Sequence, residues 1–139
     1  MKLSKEQTIA EHRKMWHWIA EQYRNGNIRS VSELKSEYCK KQNLNPLCGC
    51  FCCDYNYQKQ IELEGEDDYE KCQYCPVVWG TETKEGVDAY FCEHGIIDES
   101  SQKSTGLWLI AENNSLQGNF KLCVDICERI ANLPEDPYV

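Results

Sequence analysis

The chain has 139 residues, 10 of them cysteine, and sets 15 Lys and Arg against 23 Asp and Glu, for a formal net charge of −8. That length suits one domain with one modest core, and 41% hydrophobic with 27% charged residues is a globular composition, not a disordered one. No apolar run approaches the ~18 residues of a membrane span, Met1 to Ala10 lacks the apolar stretch of an export signal, and the acidic balance argues against a protein that mainly coats nucleic acid.

The elements follow in chain order. Ser4 to Tyr23 reads as a helix: Ser4 and Gln7 fit a capping box, and Ile9, His12, Trp16, Ile19, Ala20 and Tyr23 share one face at about 100° per residue. Gly26 is its stop signal. A second helix is expected over Val31 to Lys41, with Ser30 and Glu33 as its capping box and Val31, Leu34 and Tyr38 as its apolar face. The segment Asn43-Leu44-Asn45-Pro46 breaks the chain. A cysteine knuckle follows at Cys48 to Cys53, then a helical stretch over Asp54 to Leu63. The acidic block Glu62, Glu64, Glu66, Asp67, Asp68 and Glu70 is expected to be a solvated loop.

After Cys72 to Pro76, the pattern predicts that Val77-Val78-Trp79 pairs with Val87 to Phe91 as a short hairpin. Ser104-Thr105-Gly106 opens an apolar run, Leu107 to Ala111. A last helix spans Asn119 to Asn132, with Phe120, Cys123, Ile126, Cys127 and Ile130 on one side, and Pro134 ends it. The expected fold is α+β but mostly α: helices around a structural four-cysteine zinc knuckle pair, with a short β-hairpin. It forms a single domain over 1–139, divided into a helical part (1–45), a zinc-binding part (46–95) and a C-terminal helical part (96–139).

Charge is unevenly spread. Residues 1–45 hold 9 basic and 5 acidic side chains, net +4, and residues 46–139 hold 6 and 18, net −12. The simplest consequence is that the halves attract each other within one fold.

The cysteines carry the chemistry. Without an export signal the expected compartment is the reducing cytoplasm, where dense thiols point to metal rather than to disulfides. Cys50-Phe51-Cys52-Cys53 and Cys72-Gln73-Tyr74-Cys75 form C-x2-C, 18 residues, C-x2-C. Two residues between cysteines let both sulfurs face one point. Two such knuckles close a tetrahedron around Zn²⁺ at about 2.3 Å per Zn–S bond. Cys50, Cys53, Cys72 and Cys75 are thus the candidate ligands, and iron–sulfur is the competing cofactor. Four thiolates leave no open position for water or substrate, so the site is structural. Spacing alone leaves open whether Cys48 or Cys52 replaces a neighbour, and whether Cys39, Cys48, Cys92 and His94 form a second site. Cys123 and Cys127 read as buried helix thiols.

Four side chains stand apart from the core stripe. Trp18 lies about 180° from Ile9 on the first helix and reads either as an exposed contact residue or as the second packed side of that helix. Arg13, His17 and Arg24 form a basic strip suited to an anion, or to pairing with the acidic half. His12 faces the core and reads as a buried, hydrogen-bonded residue. The spacing shows no Ser/His/Asp or Cys/His set, no P-loop and no G-x-G-x-x-G.

Together, His12-Arg13-Lys14-Met15-Trp16, Cys50-Phe51-Cys52-Cys53-Asp54-Tyr55, Cys72 to Trp79 and Ile130-Ala131-Asn132-Leu133-Pro134 carry a resemblance over most of the chain. It resembles a group of small uncharacterised proteins from bacteriophages and Gram-positive bacterial genomes. Their pattern runs H-R-x-M-W, C-F-x-C-x-Y, C-x-x-C-P-x-x-W and I-A-x-L-P. The resemblance implies a phage-type protein acting in the host cytoplasm, with Cys50, Cys53, Cys72 and Cys75 as metal ligands, and it implies no activity. The resulting expectation is a non-enzymatic binding protein held by structural zinc. Its partner would be a host defence protein or a nucleotide signal. The alternatives are a nucleic-acid-binding or transcription-related zinc module using the basic N-terminal helices, and an enzyme using Cys92, His94 or His17.

Overall fold

The computed structural model describes residues 2–66, 73–79, 83–84, 87–88 and 106–139, leaving aside the side chains of 48, 83, 84, 87 and 88. Among them the fold is mostly helical: α1 (Lys5–Arg24), α2 (Val31–Lys41), α3 (Phe51–Glu64), α4 (Leu107–Leu116) and α5 (Phe120–Ala131). A single 3₁₀ turn, Leu47–Gly49, precedes α3. Thr83–Lys84 (β1) and Val87–Asp88 (β2) pair antiparallel. None of the helices is long and apolar enough to cross a membrane.

The central helix starts where its cap dictates. Ser4 Oγ accepts from the Gln7 N–H at 3.1 Å, and Gln7 Oε1 accepts from the Ser4 N–H at 2.9 Å. From there α1 buries Thr8, Ile9, His12, Met15, Trp16, Ile19, Ala20 and Tyr23. It packs most extensively on α5, and also on α3 and α2, while α4 rests on α5 and α2. Gly26, at φ +85, takes the left-handed turn that releases the chain toward α2.

In α2, Ser30 Oγ accepts from the Glu33 N–H at 3.2 Å, but the box expected there is only half made, because Glu33 takes the Ser30 hydroxyl instead of the Ser30 N–H. Other first-turn donors of α2 are met from α4: the Val31 N–H reaches Ser115 Oγ at 3.1 Å and the Ser32 N–H reaches Glu112 Oε2 at 2.9 Å. The Tyr23 ring stacks on Phe120 at 5.5 Å, joining α1 to the start of α5.

Three expectations need correction. The helix after the knuckle begins at Phe51, so Cys52 and Cys53 lie in its first turn, not before it. Its last turn takes in Glu62 and Glu64 and stops at Gly65 (φ +78), so the acidic block begins on a helix; positions 67–70 lie outside the described residues. Val77 bridges to Glu135, and Val87–Asp88 pairs with Thr83–Lys84 instead; positions 89–91 lie outside the described residues. The Val78 N–H donates to the Pro134 carbonyl and the Asp136 N–H to the Pro76 carbonyl, each at 2.9 Å.

Ile19 is fully buried at the middle of this packing. Ile19→Ala is expected to cost about 3 kcal/mol of stability, read from the shift of the urea midpoint; a loss under about 0.5 kcal/mol would contradict the placement of α1 at the centre.

Candidate metal centre

The described cysteines of the two knuckles meet beneath α1. Cys50 precedes the first turn of α3, and that turn carries Cys52 and Cys53. The second knuckle is brought in by the backbone: the Tyr74 N–H donates to Asn56 Oδ1 of α3 at 2.9 Å, and the bonds from 76 and 78 tie the same segment to the C-terminal stretch. The Leu47 N–H donates to Asp54 Oδ1 at 3.0 Å, which fixes the 3₁₀ turn against α3. Cys50, Cys52 and Cys75 are all buried, and Cys53 is half-buried.

The thiols polarise one another. A hydrogen bond with the Cys53 thiol pulls Cys50 down to about 6, against the opposing effect of burial, and the positive charge of Lys35 and the N–H groups of Cys53 and Cys52 lower it further. These neighbours favour the thiolate form of Cys50. Cys75 is lowered by a hydrogen bond with Cys52, then by the Val77 N–H and the Trp79 side chain, with burial opposing. The spacing C-P-x-x-W thus has a local purpose: the indole three residues beyond Pro76 returns to the cysteine sulfur.

His12 completes the cluster from above. Its Nε2 lies 2.9 Å from the Ile130 carbonyl. A carbonyl only accepts, so Nε2 carries the proton and Nδ1 is the bare nitrogen. Nδ1 lies 3.5 Å from Cys52 Sγ. Burial lowers His12 to about 4, so the ring is neutral at pH 7. Trp79 meets the ring edge-on at 5.7 Å and 87°. His12 and Cys52 are 1% and 0% exposed, so a substrate in solution touches neither. The sequence placed His12 in the core correctly; its contact with Cys52 had no signal in spacing.

Among the described residues, no group of three or more His, Cys, Asp or Glu side chains is already gathered as a metal site. What the fold brings together is two thiol pairs, Cys50 with Cys53 and Cys75 with Cys52. The donors are soft and partly ionised, which fits a thiolate metal. Cys72, Cys92, His94 and the side chain of Cys48 lie outside the described residues. Cys39 is buried on α2 with its thiol raised by burial. Cys123 donates to the Ala111 carbonyl at 3.7 Å, and burial raises Cys127 as well, so both behave as inert core thiols.

The surface residues singled out from sequence are placed differently from one another. His17 Nδ1 lies 2.8 Å and Arg24 Nη1 3.0 Å from the Glu128 carboxylate of α5, and Arg24 also pairs with Glu21 at 3.1 Å. Arg13 reaches the Leu133 carbonyl at 3.5 Å. The basic strip therefore closes on the acidic half of the chain instead of standing open. Trp18 is half-buried: it packs on Tyr38 at 5.7 Å, and Lys41 lies 5.2 Å from its ring centre. Of the two readings of Trp18 the packed one holds, because α2 and Lys41 cover the face opposite the main stripe.

No known protein family, curated protein or solved structure matches this chain.

His12→Leu removes the buried donor of the Ile130 carbonyl while keeping the volume. It is expected to cost about 2 kcal/mol in urea unfolding. Full stability in this variant would show that the imidazole does not hold α1 to α5.

Proposed function

We propose that the chain is a small non-enzymatic binding protein whose fold is closed by one zinc ion on Cys50, Cys53, Cys72 and Cys75. The observation that carries this reading is the pairing of Cys50 with Cys53 at the start of α3, with Cys75 buried nearby. Buried thiols that favour the thiolate form are costly without a cation. A closed four-thiolate ion supplies folding energy and offers no position for substrate. Cys72 stands three residues before Cys75 and supplies the fourth sulfur in this reading. Cys52 then stays a thiol between His12 and Cys75 and helps to orient the second knuckle.

The expected surface of Arg13, His17, Trp18 and Arg24 is engaged within the fold, so this reading assigns the partner no particular face. The resemblance to phage-type proteins supports a host component as the partner, a defence protein or a nucleotide signal. A nucleic-acid-binding zinc module is less well supported, because Glu128 takes up both His17 and Arg24.

Elemental analysis is expected to give about one zinc per chain, and strong chelation to abolish cooperative unfolding. Cys53→Ser is expected to lose most of that metal and Cys127→Ala to keep it. A folded wild-type chain without metal would overturn the reading.

A further inference from the structure

Two indole N–H groups and one ammonium meet where α1, α2 and α4 come together, and none of them has an acceptor. Lys35 on α2 is 6% exposed. Its ammonium lies 4.9 Å from the centre of the Trp108 ring and 5.8 Å from that of Trp16. Its Cε is 3.8 Å from where a Cβ on Gly49 would stand, so the 3₁₀ turn holds the stem in place. Among the described residues the ammonium joins no ion pair and donates no hydrogen bond. Three buried side-chain polar atoms of the described residues have no hydrogen-bond partner: Trp16 Nε1, Trp108 Nε1 and Glu37 Oε2. Glu37 has its counter-charge in Arg29. The other two belong to the rings that flank Lys35.

An ammonium and an indole N–H can only donate. Burying a donor unmet is costly, and burying a charge more so. The ring faces offset part of the cost of the ammonium, and none of that of the N–H groups. A water molecule does not answer all three, because it brings two further donors to a junction short of acceptors. An anion accepts from every side and carries the matching charge. With N···O contacts of about 2.8 Å, one tetrahedral oxyanion bridges donors up to ~8 Å apart, a reach that spans from the ammonium to either flanking ring. We propose that Lys35, Trp16 and Trp108 form a binding site for a tetrahedral oxyanion, a phosphate or sulfate group, held by the ammonium and the two indole N–H groups. Trp108, half-buried on α4, is its solvent side, and the buried Trp16 and Lys35 are its floor. The site uses none of the cysteines, so it stands with or without the zinc reading.

The test is NMR of the indole N–H groups of the isotope-labelled full chain. It is titrated with inorganic phosphate and with sulfate, against sodium chloride at equal ionic strength. Trp16→Phe and Trp108→Phe assign the two signals, and Trp18 and Trp79 serve as internal references. Phosphate or sulfate is expected to move the Trp16 and Trp108 protons downfield and saturably, as each N–H gains an acceptor, and to leave the references in place. The midpoint of thermal unfolding should rise with the same anions. Lys35→Met is expected to bind them about tenfold more weakly, because the charge-assisted contact is lost, and Trp108→Phe about threefold more weakly. Lys35→Gln gives the same readout if Lys35→Met does not fold. A nucleoside monophosphate in a separate arm identifies the source: tighter binding than inorganic phosphate assigns the site to a phosphate ester, weaker binding to the free ion. Shifts no larger than those with chloride overturn the proposal, as does a response that both Lys35 variants keep in full.

Discussion

One imidazole ties the scaffold to the cysteines. His12 donates through Nε2 to the Ile130 carbonyl, 118 residues away, and turns Nδ1 toward Cys52 Sγ. The first contact joins α1 to α5, the most extensive helix pair in the fold. The second places the sulfur cluster against the same ring. Burial keeps the ring neutral, so its two nitrogens have fixed and opposite roles. The helical half and the cysteine half are therefore positioned against one another through a group that tolerates little rotation.

The electrostatics follow the same division. The basic start of the chain is exposed, but several of its charges are paired with the acidic half. His17 and Arg24 share one carboxylate, Glu128, and Lys5 pairs with Glu135 at 3.0 Å and with the Asp136 carbonyl. These pairs are partly exposed, and each contributes little alone. Their effect is to orient α5 and the C-terminal stretch on α1. That stretch in turn holds Pro76 and Val78 by backbone hydrogen bonds, and so places Cys75. Charge complementarity between the halves thus reaches the cysteine cluster through ordinary backbone pairing.

Much of the helical fold was legible because the signals are local. The Ser4–Gln7 box, the Ser30 cap and the stripe from Ile9 to Tyr23 each act within a few residues, and the helices begin where those signals stand. Non-local features were not legible. Nothing in the pattern of α1 says that Tyr38 covers Trp18, and nothing in Val77 names Glu135 as its partner. Lys35 is buried on α2, although its spacing matches a core face only for an apolar residue. At the cysteine cluster, spacing paired Cys50 with Cys53 and Cys72 with Cys75; Cys72 lies outside the described residues, and the contacts of Cys52 with Cys75 and with His12 depend on the crossing of α1 over α3, which only the three-dimensional packing decides.

The proposed zinc centre stands or falls on its coordination shell. X-ray absorption at the zinc edge of the purified full chain measures that directly. It predicts four sulfur neighbours at about 2.3 Å and no light-atom shell in first contact. A mixed shell with nitrogen or oxygen neighbours, or no bound zinc to measure, would contradict it.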